Sequence, residues 1–374
     1  MMINKELIYI TYQTFPAETA NSLQTISNIK YLANNNVTVS LLFPLREKDS
    51  TDDIETLKKF YGFTEDFLIK GIPHRYPHGK IKIFPKFWFH VSHFLWARKA
   101  VKKNFNEVDR QSNMKFFTRS DWIAFFLARD GQDVTFECHQ PSKLRTYVIR
   151  KIGNLDNVKV IFLNSLLKES YPKVKYSKIL HNGVDQSIFE KTESIKDKYT
   201  IIFTGRLSRF KESRGIKEII SWFQDESLNK EFTLKIIGGS KAEVHDLNSL
   251  IKSLNLEKVV TVFSWMSRKE VVSMLNKSSI GLLINSSSNQ HSLYFTSPLK
   301  YFEYLYAQLT VVAPDFPSHY ALPFGDNINY FKENDKESFI KALKSASNQE
   351  PIAINNLDSI TLSRRAREII KFIY

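Results

Sequence analysis

The fold of this chain is best worked out from one stretch, Thr296-Ser-Pro-Leu-Lys-Tyr-Phe-Glu-Tyr-Leu-Tyr306, and from Thr310-Val-Val-Ala313 shortly after it. Apolar residues recur at helical spacing in the first part, and the second is a short apolar run. Ser297 can cap a helix, and Pro298 suits the first turn, where its missing N–H is not needed. The stretch therefore predicts a helix over residues 298–306 that leads into a buried strand.

The same alternation of helices and short apolar runs extends over the rest of the chain. Strands are predicted over residues 7–11, 37–43, 115–118, 134–137, 158–163, 199–204, 232–237, 259–263, 280–284 and 310–313. Amphipathic helices are predicted over residues 22–34, 121–129, 215–223, 270–276 and 298–306, and again at the end of the chain, over residues 360–374. Such alternation is typical of a doubly wound, mostly parallel α/β sheet.

The chain has 374 residues, which is too long for one ordinary core and enough for two domains. A polar, charged linker over residues 186–198 separates the two runs of alternating elements. We expect an N-terminal α/β domain over residues 1–186, a C-terminal α/β domain over residues 187–358 and a last helical segment over residues 359–374. Two such sheets in tandem are expected to face each other across a cleft.

Composition excludes several classes of protein. The first residues lead directly into a strand, so no signal peptide is expected. The longest apolar run without a charge, residues 87–97, is too short to span a bilayer. Cys138 is the single cysteine, which rules out an internal disulfide and indicates a reducing cytoplasm.

A formal net charge of +14 calls for a negatively charged partner, and much of that charge is concentrated in one segment. Residues 71–105 carry eight Lys or Arg, no Asp or Glu, and eight large aromatic side chains. This mixture suits an anionic membrane surface. It also suits single-stranded nucleic acid, or a helix that buries its aromatics and leaves its lysines in water. The sequence leaves all three alternatives open.

A first candidate site follows the predicted strand 199–204. Gly205 permits an unusual backbone angle there, and Arg206 and Lys211 add cations at the strand end, where α/β folds bind ligands. A departing diphosphate needs such positive charge to stabilise it.

A second candidate site is the start of the predicted helix 298–306. The amides of Leu299 and Lys300, after the capping Ser297, are placed to bind phosphate oxygens. Glu303 lies further in, among apolar residues, where a carboxylate is costly unless it accepts hydrogen bonds. A ribose diol offers two donors.

A third candidate site ends the predicted strand 134–137. Because side chains alternate along a strand, Glu137 and His139 share one face and Cys138 points to the other. A zinc site is not expected from these three residues, since they diverge and no second Cys exists.

These motifs, in this order, resemble those of the GT-B retaining glycosyltransferases of family GT4. The matching elements are Gly205-Arg206 with Lys211, Ser297-Pro-x-Lys-x-x-Glu-Tyr304 before Val311-Val-Ala313, Asn182-Gly-Val-Asp185 with Phe189, Glu137-x-His139, and Thr118-Arg119. Position 295, eight residues before Glu303, holds Phe where many relatives carry a second Glu.

The resemblance implies a GT-B fold, two Rossmann-like domains facing across a cleft, and transfer of a sugar from a nucleotide diphosphate donor with retention. His139, Glu137, Arg206 and Lys211 are then catalytic. The donor is bound by Gly205, Arg206, Lys211, Gly239, Met266, Ser297, Leu299, Lys300 and Glu303. Asn21 and Arg119 serve the acceptor, a glycan or a lipid-linked sugar. No metal and no cofactor are expected, and the enzyme is expected in the cytoplasm, with possible contact of residues 71–105 with the inner membrane face.

Two rival functions remain at this point. The first is a GT-B-shaped scaffold or nucleic-acid-binding protein without transferase activity. The second is a GT-B epimerase, which passes no sugar to an acceptor. Affinity for a nucleoside diphosphate would argue against the first rival.

Overall fold

The computed structural model describes residues 5–105, 114–189, 195–209 and 212–374. The chain forms two compact units, one of Met1–Leu180 with Leu362–Tyr374 and the other of His181–Thr361. The boundaries predicted from the sequence, after residues 186 and 358, lie six and three residues from those of the structure.

The first unit is built on a seven-stranded parallel sheet with the order β3-β2-β1-β4-β5-β6-β7. Its strands are β1 (Lys5–Ile10), β2 (Val37–Leu45), β3 (Leu68–Pro73), β4 (Met114–Thr118), β5 (Val134–Cys138), β6 (Val158–Phe162) and β7 (Tyr176–Ile179). Its helices include α1 (Ala20–Ala33), α2 (Ile54–Tyr61), α3 (Pro85–Phe105), α4 (Asp121–Arg129), α5 (Lys143–Ile152) and α6 (Ser165–Glu169).

The second unit is built on a six-stranded parallel sheet with the order β12-β11-β8-β13-β14-β15. The strands of this unit are β8 (Thr200–Thr204), the short antiparallel pair β9 (Ser208–Arg209) and β10 (Glu212–Ser213), then β11 (Thr233–Ile237), β12 (Val260–Phe263), β13 (Ile280–Leu282), β14 (Thr310–Pro314) and β15 (Ile328–Phe331). Its helices are α7 (Ile216–Trp222), α8 (Glu226–Asn229), α9 (Lys241–Ser253), α10 (Arg268–Asn276), α11 (Leu299–Tyr306), α12 (Pro317–Tyr320) and α13 (Lys336–Asn348), with short turns Gln186–Ile188, His291–Phe295, Gly325–Asn327 and Ile354–Ile360.

The last helix, α14 (Leu362–Ile373), belongs to the first unit although it follows the second in sequence. Its apolar face, which includes Leu362, Ala366 and Ile369, packs in the same core as Tyr9 and Ile29. Lys159 Nζ donates to the carbonyls of Phe372 and Ile373, at 2.7 and 2.8 Å, and so satisfies oxygens at the end of the helix.

The two sheets confirm the predicted fold class, a doubly wound parallel α/β architecture in each unit. Central strands such as β8 are buried along their whole length, as expected where helices cover both faces of a sheet. Sequence order reverses between β1 and β4 in the first sheet and between β8 and β13 in the second. The carboxyl ends of strands at such reversals are the ordinary ligand-binding positions of this architecture.

Across the described residues, none of the helices has both the length and the apolar character needed to cross a membrane.

Close backbone contact between β8 and β11 yields a first prediction. Gly238 has φ +129°, and a Cβ added to it would lie 2.2 Å from the carbonyl oxygen of Gly205. We expect Gly238→Ala to lower the free energy of unfolding by about 3 kcal/mol, from left-handed strain and a clash with main chain. Thermal and urea unfolding would measure this loss.

Gly215→Ala is the matched control in the same unit. Gly215 is also left-handed, at φ +77°, but among the described residues no atom beyond its own chain neighbours and helix backbone lies within 4 Å of an added Cβ. Its cost should be only the strain, about 1 kcal/mol. Equal losses in the two variants would show that the contact with Gly205 does not limit stability.

Candidate active site

The carboxyl end of β5 carries the first part of the candidate site. Glu137 is fully buried, and the ring of His139 is bonded through Nε2 to Glu137 Oε1. The two side chains therefore meet, as their shared strand face predicts. Cys138 points away into the core, where burial raises the pKa of its thiol to about 12.

The bonds of His139 determine its tautomer. Arg119 Nη2 lies 2.9 Å from His139 Nδ1, and a guanidinium can only donate. Nδ1 is therefore the acceptor, and the ring proton sits on Nε2 and is donated to Glu137. Burial, and then the charge of Arg119, lower the pKa of His139 to about 3, so the ring is neutral near pH 7.

Arg365, from α14, completes this cluster, and sequence reasoning missed it. Its side chain is only 4% exposed, and its Nη2 forms an ion pair with Glu137 Oε1 at 3.2 Å. Burial by itself would raise the pKa of Glu137, but Arg365, His139 and Arg119 hold the pKa of this carboxyl well below its usual range. Glu137 is therefore an ionised carboxylate in the interior.

Helix α1 supplies the polar surroundings of Arg119. Arg119 donates to Gln24 Oε1 at 3.1 Å and to Asn21 Oδ1 at 3.4 Å, while Arg365 donates to Asn28 Oδ1 at 3.3 Å. The structure thus brings together the four residues predicted here, Glu137, His139, Arg119 and Asn21. Gln24 and Asn28 were missed, although their spacing from Asn21, three and then four residues, places all three on one helical face.

In the second unit, glycines line the carboxyl ends of β8 and β11. Gly205, Gly238 and Gly239 have φ values of +117°, +129° and +90°. At φ +90° a side chain on Gly239 would be strained, and its Cβ would lie 2.5 Å from Leu207 Cδ1, so that Leu207 would have to shift. The predicted residues Gly205 and Gly239 therefore lie at neighbouring strand ends. As glycines, they have no side chain that would cover their backbone.

Helix α11 is anchored beside these glycines. The Tyr304 hydroxyl accepts from the backbone N–H of Thr204 at 3.1 Å and donates to the carbonyl of Leu282 at 3.3 Å. Lys300 Nζ lies 3.8 Å from the ring centroid of Phe203 and 3.8 Å from where a Cβ of Gly205 would be. The start of α11 and the end of β8 thus lie side by side.

The predicted cap of α11 is wrong. The helix begins at Leu299, and Pro298 takes the cap position, with no side-chain cap bond. Ser297 Oγ instead accepts from the backbone N–H of Asn182 at 3.0 Å, and Asn182 Nδ2 donates to the carbonyl of Ser297 at 2.6 Å. Because this bond with Asn182 occupies the hydroxyl, Ser297 ties the segment before the helix to residue 182.

Glu303 is nearly buried, at 8% exposure, and is paired with Arg268. Arg268 opens α10, and half of its side chain is exposed. Sequence reasoning did not find this partner, because the two residues lie 35 positions apart on different elements. The one signal in the sequence was Glu303 itself. A carboxylate on the inward face of a helix, with no donor near it in sequence, requires a cation or donor from another element.

The remaining predicted residues are Arg206, Met266 and Lys211. Arg206 is exposed, directly after Gly205. Met266 is half-buried and packs on the core beside Phe263. Lys211 lies outside the described residues. Within the described part of the chain, no group of three or more His, Cys, Asp or Glu is placed to hold a metal ion.

The buried pair of Arg365 and Glu137 generates a second prediction. Arg365→Met leaves a buried carboxylate without its cation, and should lower the free energy of unfolding by about 3–5 kcal/mol. Adding Glu137→Gln removes the uncompensated charge, so the double variant should recover about half of that loss. Urea unfolding of the two single variants and the double variant measures this coupling.

Arg364→Met is the control, since Arg364 is the neighbour of Arg365 and pairs with Glu368 at the surface. Its loss should stay within about 1 kcal/mol. Additive effects of Arg365→Met and Glu137→Gln would contradict direct coupling of the pair.

The neutral ring of His139 generates a third prediction, on pH. An unfolded His has a pKa of about 6.5, while that of folded His139 is lowered to about 3. Between these values the unfolded state binds one more proton, so the free energy of unfolding decreases as the pH falls. His139→Asn should make this decrease shallower by about 1.4 kcal/mol per pH unit.

Unfolding from about pH 7 to pH 4 measures the slope in both proteins, with His245→Asn, on the exposed surface of α9, as the control variant. If the pH dependence of the free energy of unfolding were unchanged in His139→Asn, His139 would take up its proton in the folded state as well. That result would contradict the neutral ring and the tautomer derived above.

Comparison with known proteins supports the fold. Residues 184–360 match the family model for glycosyl transferases group 1. No curated protein sequence matches the chain. Solved structures do match: a sucrose-phosphate synthase from Thermosynechococcus elongatus has a TM-score of 0.65 at 14% identity, over 99% of this chain and 95% of that one.

Two further solved structures are similar over almost their full length. WaaG, a glycosyltransferase involved in lipopolysaccharide biosynthesis, has a TM-score of 0.57 at 14% identity, over 98% of this chain and 95% of that one. An alpha-glucosyltransferase in complex with UDP and a DNA 13-mer has a TM-score of 0.54 at 14% identity, with coverage of 98% and 95%. The chain thus has the two-domain GT-B fold of glycosyltransferases, and its second unit carries the sequence pattern of the group 1 family.

Proposed function

We propose that this protein transfers a sugar from a nucleoside diphosphate donor to a glycan or lipid-linked acceptor, with retention of anomeric configuration, as a GT4 enzyme of the Ser-Pro-x-Lys-x-x-Glu type. One observation carries the proposal. The glycine-lined ends of β8 and β11 lie beside Lys300 at the start of α11, inside the segment that matches the group 1 family. Left-handed glycines at strand ends let a diphosphate approach the main chain closely.

The donor's leaving group is stabilised by cations. Arg206 follows Gly205, Lys300 faces the same strand end, and Lys211 follows in sequence. In this proposal these groups neutralise the charge that develops on the diphosphate, so that no metal ion or cofactor is needed. The amides of Leu299 and Lys300 add backbone donors to the phosphates.

Glu303 is proposed to bind the ribose of the donor. Arg268 holds Oε1 of its carboxylate, and we assign Oε2 to the ribose hydroxyls. Phe295, where many relatives carry a second carboxylate, leaves Glu303 as the acidic contact, and Arg268 fixes its orientation. Met266 is assigned to the side of the base.

The cluster of Glu137, His139 and Arg119 is proposed to serve the transferred sugar and the acceptor. Both ring nitrogens of His139 are already bonded, so His139 contacts the sugar without exchanging a proton through either of them. Glu137 orients this ring, and Asn21 and Arg119 face the acceptor. Retention follows if the acceptor attacks an oxocarbenium-like sugar on the face that the diphosphate leaves.

The setting proposed for this reaction is the cytoplasm, at the inner membrane face, in the synthesis of cell-surface polysaccharide or glycoconjugate. The structural similarity to WaaG, a glycosyltransferase involved in lipopolysaccharide biosynthesis, supports this setting. The basic segment 71–105 supports contact with an anionic surface.

The test begins with a thermal-shift screen of nucleoside diphosphates and their sugars, because a ligand that binds the folded state stabilises it. With the donor so found, Lys211→Ala and Arg206→Ala should each lower the rate of nucleoside diphosphate release by about 100- to 1,000-fold. Lys217→Ala, an exposed lysine of α7, is the matched control and should keep the wild-type rate.

Undiminished turnover in both Lys211→Ala and Arg206→Ala would sink the assignment of the cations. Tight, salt-sensitive nucleic-acid binding without affinity for any nucleotide sugar would favour the binding-protein alternative.

A further inference from the structure

Residues 79–87, the docking loop, comprise the loop before α3 and the first turn of that helix, and form the most exposed apolar segment in the described part of the first unit. All nine residues, Gly-Lys-Ile-Lys-Ile-Phe-Pro-Lys-Phe, are exposed. Its large apolar side chains keep much of their surface in water: Ile81 41%, Ile83 69%, Phe84 76% and Phe87 58%. Single exposed apolar residues are ordinary, but four within seven positions mark an interaction surface.

The core of the unit does not use these side chains. Helix α3 buries one face, and that face begins only at Ser92, seven residues after the helix starts: Ser92, His93, Trp96, Ala97, Ala100, Val101 and Phe105. The core-helix alternative is therefore right for residues 92–105. It is wrong for the docking loop, which lies before the buried face.

Hydrogen bonds and a ring contact hold the docking loop at its two ends. The backbone N–H of His78 donates to Ser92 Oγ at 2.9 Å, and those of Lys80 and Ile81 donate to the carbonyl of Pro77 at 2.9 and 3.0 Å. On the helix side, the ring of Phe89 lies 5.5 Å from that of Tyr12. Because contacts hold both ends of the docking loop, its apolar side chains are exposed in the folded unit.

The positive charge of the docking loop indicates which kind of surface it contacts. Lys80, Lys82 and Lys86 alternate with the apolar residues, and residues 71–105 contain no Asp or Glu. We propose that the docking loop inserts its apolar side chains at the headgroup level of an anionic lipid bilayer, with its lysines on the lipid phosphates.

Two other occupants fit less well. Single-stranded nucleic acid could stack bases on Phe84 and Phe87, but it would leave Ile81 and Ile83 without a stacking partner. A second copy of the chain would bring two sets of lysines together without an acidic partner in the loop. A bilayer interface accepts both aliphatic and aromatic side chains.

The inference rests on the proposed function only in that a lipid-linked acceptor requires a membrane-facing enzyme. It narrows the broad segment 71–105 to nine residues and names their mode of contact. Vesicle binding tests it without any catalytic step.

The experiment is co-sedimentation of the full chain with vesicles of phosphatidylcholine, with and without phosphatidylglycerol. We expect binding to the anionic vesicles that weakens as salt is raised. The triple variant Lys80→Gln, Lys82→Gln, Lys86→Gln should bind about 100-fold more weakly, at about fivefold for each lysine. The double variant Ile83→Ser, Phe84→Ser should lose binding by a similar factor.

Matched controls separate the loop from overall charge and overall hydrophobicity. Lys99→Gln, Lys102→Gln, Lys103→Gln removes the same charge from exposed positions of α3, and Leu68→Ser removes an apolar side chain that is 63% exposed. Both should bind nearly as the wild type does. All the variants change exposed residues, so thermal unfolding should show them folded.

Three results would overturn the proposal: equal binding to neutral vesicles, an equal loss in the α3 control, or RNA binding or self-association that depends on the loop while vesicles are not bound. The thermal-shift screen on the same preparations separates the two hypotheses. Vesicle binding without nucleotide affinity would refute the proposed function alone, and nucleotide affinity without vesicle binding would refute the docking loop alone.

Discussion

The ion pair between Arg365 and Glu137 is the constraint on which the candidate site of the first unit depends. A carboxylate with no exposure to water is tolerated only with a cation beside it, and α14 provides that cation. With Glu137 ionised, the proton of His139 is fixed on Nε2, and Nδ1 is left to accept from Arg119. One contact between the last helix and a central strand thus orders a chain of side chains that reaches α1.

The second unit reaches a defined site by backbone contact instead of charge. Gly205 and Gly238 let two strand ends approach closely, and Gly281 does the same for Tyr304, whose ring would lie 2.4 Å from an added Cβ. Tyr304 then bonds to the ends of β8 and β13 and holds α11 against them. That packing positions Lys300, which lies on α11, and Glu303 of the same helix pairs with Arg268.

Much of this could be predicted from the sequence, because buried strands and strand-end motifs are local patterns. Helix α4 was predicted at its observed bounds. Glu137 and His139 were predicted to share a strand face, Arg119 and Asn21 were assigned to the acceptor, and the four side chains form one connected cluster. Three of the four edge strands were missed. β7 and β15 have only four residues each, and β3 has no fully buried side chain, so none of the three carries a clear apolar pattern. Arg365 was missed because Arg364 and Arg367 stand beside it, and only the packing of α14 decides which arginine turns inward. Arg268 was missed because a pair of residues 35 positions apart leaves no local pattern in the sequence.

The position of α14 also has a consequence for synthesis on the ribosome. The 181 residues of the second unit, His181–Thr361, are made between β7 and the helix that carries Arg365. At ordinary elongation rates this takes roughly 10–40 s. During that interval Glu137 has emerged but its cation has not. The first unit in sequence is therefore the last to acquire its complete charge balance, and the nascent chain passes through a stage in which Glu137 of β5 lacks Arg365.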